Sequence, residues 1–112
     1  MRRFCQRAWL KEDKVEDYRR LHAAVWPSVL QVIEECNIRN YSIALFGTLA
    51  VAYFEYVGDD YEADMKRMDA APAMLEWWKH SKPCFQRHAE GVYYEDMEEV
   101  FYFNGFGPEA RP

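Results

Sequence analysis

Tyr18 and His22 lie four residues apart in the segment YRRLHAAVWP, which spans residues 18–27. If this segment is helical, the two side chains share one face and contact each other. Histidine titrates near neutral pH and suits proton transfer, and a tyrosine hydroxyl can both donate and accept a hydrogen bond. The pair is therefore a candidate acid–base site. The alternative is that His22 is a hydrogen-bonded core histidine and Tyr18 part of an aromatic core.

Three further aromatic residues are candidates for the same site. Trp77 and Trp78 are adjacent in the segment EWWKH, and neighbours on a helix point about 100° apart, so one can enter the core while the other faces a groove. An indole covers the apolar face of a sugar while its N–H reaches a hydroxyl group. Tyr41 begins the strand-like segment NYSIALFG. Each of the three also fits an ordinary core or cross-strand position, so the pattern alone leaves both interpretations open.

The common motifs for metal and cofactor binding are absent from the sequence. The histidines are not spaced as a helical ligand pair, the cysteines form no pair, and the glycines match no phosphate-binding loop. No serine lies in a GxSxG elbow. We therefore predict a protein that needs neither a metal nor a cofactor.

Composition and charge exclude several classes of partner. The chain of 112 residues has a net charge of −5, which argues against nucleic acid and anionic membranes, because these require clustered lysine and arginine. No apolar run approaches the ~18–20 residues that span a bilayer, and the amino terminus lacks the pattern of a signal peptide. Three widely separated cysteines predict reduced thiols and a cytoplasmic location.

The elements that must position these side chains follow the order β-α-β-β-α-β. Residues 2–10 predict a first strand, and residues 97–104 a last one. Between them, helical spacing is interrupted at Pro27 and Pro72, and two β-rich runs are divided by Gly47-Thr48. Residues 83–95 are expected to form a loop. This order predicts one α+β domain of the ferredoxin-like type over residues 1–104, with an antiparallel sheet and a tail at 105–112.

The predicted strands are apolar on both faces. The runs IALF, LAVAYF and VFYF are nearly continuous rather than alternating. Two helices cannot cover both faces of a four-stranded sheet, so something else must cover the second face. We expect a homodimer in which sheet packs against sheet.

Together these motifs resemble the L-rhamnose mutarotase family. The resemblance is carried, in order, by YRRLHAAVWP (18–27), NYSIAL (40–45), WWK (77–79) and EVFY (99–102). It covers nearly the whole chain and stops before the tail GFGPEARP. It implies a dimeric α/β barrel of ferredoxin-like domains and an isomerase that interconverts the α and β anomers of a 6-deoxy sugar without a cofactor.

The resemblance also implies roles for individual residues. His22 matches the proton-donating histidine of the family, and Tyr18, Tyr41, Trp77 and Trp78 match its sugar-contacting residues. The chain lacks an Asn-Pro-Asp-like segment that some members carry before the last strand, so L-rhamnose and L-fucose both remain possible substrates. The alternatives from other classes are a small-ligand binding module on the same barrel and a cofactor-independent monooxygenase or haem-degrading relative.

Overall fold

The computed structural model describes residues 1–86 and 93–107, which form a four-stranded antiparallel sheet and four α-helices. The elements are, in chain order, β1 (Arg2–Trp9), α1 (Val15–Ala23), α2 (Pro27–Glu35), β2 (Ile38–Phe46), β3 (Leu49–Tyr56), α3 (Tyr61–Ala70), α4 (Pro72–Ser81) and β4 (Glu95–Asp96). Short 3-10 turns lie at Glu12–Lys14 and Lys82–Cys84. The ferredoxin-like α+β prediction is confirmed. Each of the two helical connections between strands consists of two helices.

Two prolines divide the helical segments of the chain as predicted. Pro27 and Pro72 occupy the first turns of α2 and α4, where a missing backbone N–H leaves no intrahelical hydrogen bond unmade. The start of α3 is capped differently, because the carboxylate of Asp60 accepts a hydrogen bond from the Ala63 N–H at 3.1 Å. The residues at these three positions therefore determine where α2, α3 and α4 begin.

The sheet has the strand order β2-β3-β1-β4. β2 and β3 form the predicted hairpin, in which Gly47 adopts a φ of 61° that glycine tolerates without strain. A bulge interrupts their register, because Asn40 and Tyr41 together oppose the single residue Phe54. Asn40 has a φ of 51° and donates its side-chain N–H to Glu55. The bulge brings the ring of Tyr41 within 5.5 Å of the ring of Phe54.

The helices cover one face of the sheet, and small residues lie beneath them. Ala8, Ala50 and Ala52 are fully buried. The first two belong to a cluster with Tyr18 and Phe85. Because the alanines project so little, these two larger rings pack directly over β1 and β3. The small side chains of the strands therefore determine how closely Tyr18 packs against the sheet.

The opposite face of the sheet carries apolar side chains without a helix of the described residues over them. Register places Leu49, Val51 and Phe46 on this face, and Phe46 is 85% exposed. Apolar side chains on both faces are thus found in β2 and β3, whereas the run VFYF at residues 100–103 forms no strand.

The predicted last strand at residues 97–104 is wrong. β4 contains only Glu95–Asp96, and residues 97–107 have no regular secondary structure. Arg3 holds this segment by an ion pair with Glu99 and by lying over the ring of Tyr102. A high β-propensity makes a strand only where the side chains find a surface to pack on, and Val100 is 85% exposed. Residues 87–92 of the predicted loop and 108–112 of the predicted tail lie outside the described residues.

Replacement of Leu10 tests the core beneath Tyr18. Leu10 is fully buried in the same cluster as Tyr18, so Leu10→Ala should lower the free energy of unfolding by about 2–5 kcal/mol, measured by urea denaturation. The control is Leu30→Ala on α2, where the residue is 52% exposed and the expected change is within about 0.5 kcal/mol. Equal losses in the two variants would contradict this packing.

Candidate active site

A cavity of about 520 Å³ brings together all five site residues predicted from the sequence. Two come from α1, one from β2 and two from α4: Tyr18, His22, Tyr41, Trp77 and Trp78. The cavity opens between the helical layer and the edge of the sheet that β2 forms. Concave sites that combine aromatic walls with a few polar groups are typical of small-molecule binding.

The spacing of Tyr18 and His22 has the predicted result. Their rings lie 4.1 Å apart on α1, and Nδ1 of His22 lies 2.8 Å from the backbone carbonyl oxygen of Tyr18. A carbonyl oxygen only accepts hydrogen bonds, so Nδ1 carries the hydrogen. In the neutral ring, Nε2 is then left with a free lone pair that can accept a proton.

The surroundings of His22 favour its neutral form. Desolvation lowers the pKa of the imidazole, and this effect exceeds the opposing effect of the hydrogen bond to the Tyr18 carbonyl. The edge-on ring of Trp77, 5.4 Å away, contributes to these apolar surroundings. At neutral pH the side chain is therefore poised as a base at Nε2, and after it accepts a proton it becomes an acid.

Tyr18 is buried and forms a hydrogen bond with a second tyrosine. Its hydroxyl oxygen lies 2.9 Å from that of Tyr94. Desolvation raises the pKa of Tyr18 to about 12, although the hydrogen bond with Tyr94 opposes the shift. Desolvation also raises the pKa of Tyr94. Both phenols therefore stay protonated at neutral pH and act as hydrogen-bonding groups rather than as anions.

The two tryptophans divide as the helical spacing predicted. Trp77 is 5% exposed and packs with Val29 and Met74 in the core, while its ring also borders the cavity. Trp78 is half-buried and lies under the ammonium group of Lys82 at 4.6 Å. One indole is thus held rigidly and the other forms part of the cavity rim.

Tyr41 borders the cavity from the sheet. Its position follows from the β2 bulge and from its contact with Phe54. Desolvation raises the pKa of its phenol, even though 44% of the residue surface is accessible in the single chain. The hydroxyl is therefore a neutral donor and acceptor, like those of Tyr18 and Tyr94.

A neighbouring cavity of about 450 Å³ shares His22, Tyr41 and both tryptophans with the first one. Its remaining wall is mostly aliphatic and contains Val25, Val29, Leu30, Ile33, Met68 and Met74. The site therefore has a polar side around the phenols and an apolar side between α2, α3 and α4.

Sequence reasoning missed several residues of this site. Tyr94, Phe85, Lys82 and Asp69 also line the first cavity, and they come from chain segments with no recognisable periodicity or from the end of α3. The adjacent pair Tyr93-Tyr94 is the one local signal that marked this region as aromatic. It gave no indication that Tyr94 approaches Tyr18, 76 residues away.

Metal-binding clusters and membrane-spanning helices are both absent from the described residues. Residues 1–86 and 93–107 contain no group of three or more His, Cys, Asp or Glu side chains arranged to hold a metal ion. Within those same ranges, the helices are all too short or too polar to cross a membrane.

Comparison with known proteins places the chain among sugar isomerases. A family model described as L-rhamnose mutarotase matches residues 3–103. The L-rhamnose mutarotase of Lactiplantibacillus plantarum is 28% identical over 105 residues, which cover 93% of this chain and all of the relative.

Solved structures extend the likeness of the fold. The crystal structure of an L-rhamnose mutarotase from Formosa agariphila superposes with a TM-score of 0.75 at 20% identity, covering 93% of this chain and all of the other. Tetracenomycin F2 cyclase of Streptomyces glaucescens, a polyketide cyclase, superposes with a TM-score of 0.64 at 16% identity, covering 96% of this chain and all of the cyclase. At these identities the superpositions establish the fold, and the cyclase demonstrates that the fold alone does not fix the chemistry.

The protonation of His22 can be tested by nitrogen-detected NMR. We expect the neutral ring to carry its hydrogen on Nδ1 and to titrate below the ordinary value of about 6.5, because desolvation lowers its pKa. Between the folded and unfolded pKa values the unfolded chain binds more protons, so this group makes stability rise with pH through that window. His22→Gln identifies the resonance. A midpoint above 6.5, or a hydrogen on Nε2 of the neutral ring, would contradict this geometry.

Proposed function

The chain belongs to the L-rhamnose mutarotase family, and from this premise we propose that it interconverts the α and β anomers of a 6-deoxy-hexose by cofactor-free acid–base catalysis. The observation that carries the proposal is His22, which has a free Nε2 lone pair and a lowered pKa on the wall of an aromatic cavity. L-Rhamnose is the first substrate to test, and L-fucose is the alternative. The enzyme is an isomerase of the mutarotase type.

The proposed mechanism uses the imidazole of His22 twice. Nε2 accepts the proton of the anomeric hydroxyl, and the bond between C1 and the ring oxygen breaks as the C1 carbonyl forms. The imidazolium then donates that proton to the ring oxygen, which is the proton-donating role that the family resemblance implies. Because both oxygens are bonded to C1, one imidazole can serve both. Rotation about C1–C2 and ring closure on the other carbonyl face complete the reaction.

The remaining predicted residues are proposed to hold the sugar. Trp77 is rigid in the core and Trp78 lies on the rim, so the indoles offer apolar surface to the C–H groups of the ring. The neutral hydroxyls of Tyr18 and Tyr41 can donate to sugar hydroxyls or accept from them. This division between stacking and hydrogen bonding leaves His22 as the group that transfers protons.

The apolar side of the site favours a 6-deoxy sugar. The cavity that contains Met68, Met74 and Ile33 begins beside His22 and Tyr41. A methyl group at C5 fits such a wall, whereas a hydroxymethyl group would lose its hydrogen bonds to water without a partner there. We therefore assign the methyl group of the substrate to this side.

We further propose that the protein is a homodimer through the open face of its sheet. Phe46 is 85% exposed, and it shares this face with Leu49 and Val51. Beside β1, the segment with Val100 and Phe101 is also exposed, at 85% and 82%. Exposed apolar surface of this kind marks interaction sites on soluble proteins. A second copy of the same face would cover it, as in a dimeric α/β barrel.

The cytoplasm is the proposed compartment. Cys5, Cys36 and Cys84 are free thiols, as expected in a reducing environment. Desolvation raises the pKa of Cys36 and Cys84, which keeps them protonated and unreactive. The domain boundary at residue 104 stays a prediction.

Exchange NMR on L-rhamnose tests the proposed activity. The wild-type protein at micromolar concentration should accelerate exchange between the α and β anomer signals, and His22→Ala should lower the added rate by about 10²–10⁴-fold. The rate should also fall as the pH drops through the pKa of His22, which desolvation places below its ordinary value, because protonation removes the base. The control is His80→Ala, since His80 packs on Trp26 outside the cavity.

Matched sugars sharpen the same experiment. L-Mannose differs from L-rhamnose by a hydroxyl at C6, and L-galactose differs from L-fucose in the same way. Acceleration should be greater for the 6-deoxy member of the pair that the enzyme uses. No acceleration of L-rhamnose or L-fucose exchange would overturn the proposed function. A Soret band on addition of haem would then support the haem-degrading alternative.

Light scattering after size-exclusion chromatography tests the dimer. At micromolar concentration we expect twice the 13.4 kDa of one chain. Val51→Asp should shift the protein towards monomer, because it places a charge at the centre of the open sheet face. Leu30→Asp is the control, since Leu30 is 52% exposed and lies on α2, on the helix-covered side of the sheet. A monomeric wild-type protein would contradict the proposed interface.

A further inference from the structure

We propose that Tyr94 is a positioning residue of this site, whose hydroxyl sets the hydrogen-bonding direction of the Tyr18 hydroxyl towards the sugar. The inference rests on the proposed function and deepens it. Tyr94 lies in the described segment directly before β4, in a part of the sequence that matches none of the family motifs quoted above.

The two phenols are held against one common support. The ring of Tyr18 meets the ring of Phe85 edge-on at 5.3 Å, and the ring of Tyr94 meets it at the same distance. Phe85 is 6% exposed and bridges to Leu10, the residue that follows β1. Both tyrosines are therefore fixed by packing, and their hydroxyls meet at 2.9 Å.

The hydrogen bond between them has two possible directions. Each phenol has one hydrogen to donate, and only one hydrogen can lie between the two oxygens. If Tyr94 donates, the O–H of Tyr18 is free to donate to a ligand. If Tyr18 donates, its oxygen is free to accept from a ligand, and the O–H of Tyr94 becomes the free donor.

This reversal suits a reaction that moves protons between two oxygens of the substrate. Ring opening turns the anomeric hydroxyl into a carbonyl and the ring oxygen into a hydroxyl. The first oxygen can then only accept a hydrogen bond, and the second becomes able to donate one. A single phenol facing this change must rotate its own hydrogen, whereas a phenol pair can exchange roles. Because both phenols stay protonated at neutral pH, no charge has to form in the cavity.

Tyr94 lines both cavities, together with His22 and Tyr41. It therefore lies where the polar and apolar sides of the site meet. A hydroxyl that served only the core would have no effect on kcat, and one that contacted the sugar independently would keep its effect after Tyr18 lost its own hydroxyl. A double-mutant cycle measures that dependence directly.

The test compares Tyr94→Phe, Tyr18→Phe and the double variant in the exchange assay. Each substitution keeps the ring that packs on Phe85 and removes one hydroxyl. Tyr94→Phe alone should lower kcat about 10-fold, the effect of one neutral hydrogen bond, with a change in KM below about 2-fold. In the Tyr18→Phe background the same substitution should change kcat by less than about 2-fold. Tyr61→Phe, which removes a phenol hydroxyl on α3 outside the cavity, should leave kcat unchanged.

The outcomes separate this inference from the proposed function. If the effects of the two substitutions on kcat multiply, Tyr94 does not act through Tyr18 and the positioning role is overturned. If Tyr94→Phe leaves kcat unchanged, the role is overturned as well. If the wild-type protein accelerates exchange of neither sugar, the proposed function fails instead. The same cycle, read on L-rhamnose binding by tryptophan fluorescence, then decides the positioning role, and additive binding effects overturn it. Near-ultraviolet circular dichroism identical to wild type establishes that each variant retains its aromatic packing.

Discussion

The hydrogen bond from Nδ1 of His22 to the carbonyl oxygen of Tyr18 determines what the site can do. It joins two residues one turn apart on α1. Both bonded groups therefore belong to the same helix, and the bond needs no partner from elsewhere in the chain. It places the hydrogen on one nitrogen and leaves the other free, while the desolvated surroundings keep the ring neutral. In the proposed reaction, the walls of the cavity then have only to bring the sugar to Nε2. This local bond explains how a small fold supports acid–base chemistry with the groups of a single helix.

The sequence predicted those parts of the structure that depend on neighbours along the chain. Helical spacing placed Tyr18 beside His22, and the first-turn prolines and Gly47 marked the boundaries of elements. The strand predicted at 97–104 did not form because its apolar side chains, such as Val100 at 85% exposure, find little surface to pack on within the described residues. Tyr94 was missed for a related reason. Its partner is 76 residues away, and no local pattern encodes a contact that only the packing of Phe85 brings about.

The two faces of the sheet differ in composition, and the site lies on the face that the helices cover. The helix-covered face combines small strand residues with large helix residues, and the cavity lies where α1 and α4 meet β2. The other face carries exposed apolar side chains such as Phe46 and is where the proposed dimer forms. A polyketide cyclase shares the architecture, so the ferredoxin-like frame is compatible with unrelated chemistry.

The bulge at Asn40 has a consequence for how β2 tolerates insertions and deletions. Side chains of a strand alternate between its faces, so the loss of one residue normally moves every later side chain to the wrong face. In β2 the extra residue is already accommodated, because Asn40 and Tyr41 oppose Phe54 together. Loss of Asn40 would restore regular pairing and leave Tyr41 and the residues after it on their present faces. Loss of Ser42 would instead reverse the orientation of Ile43 and Leu45. The strand that carries one wall of the site can therefore vary in length at one position and must keep its length at the others.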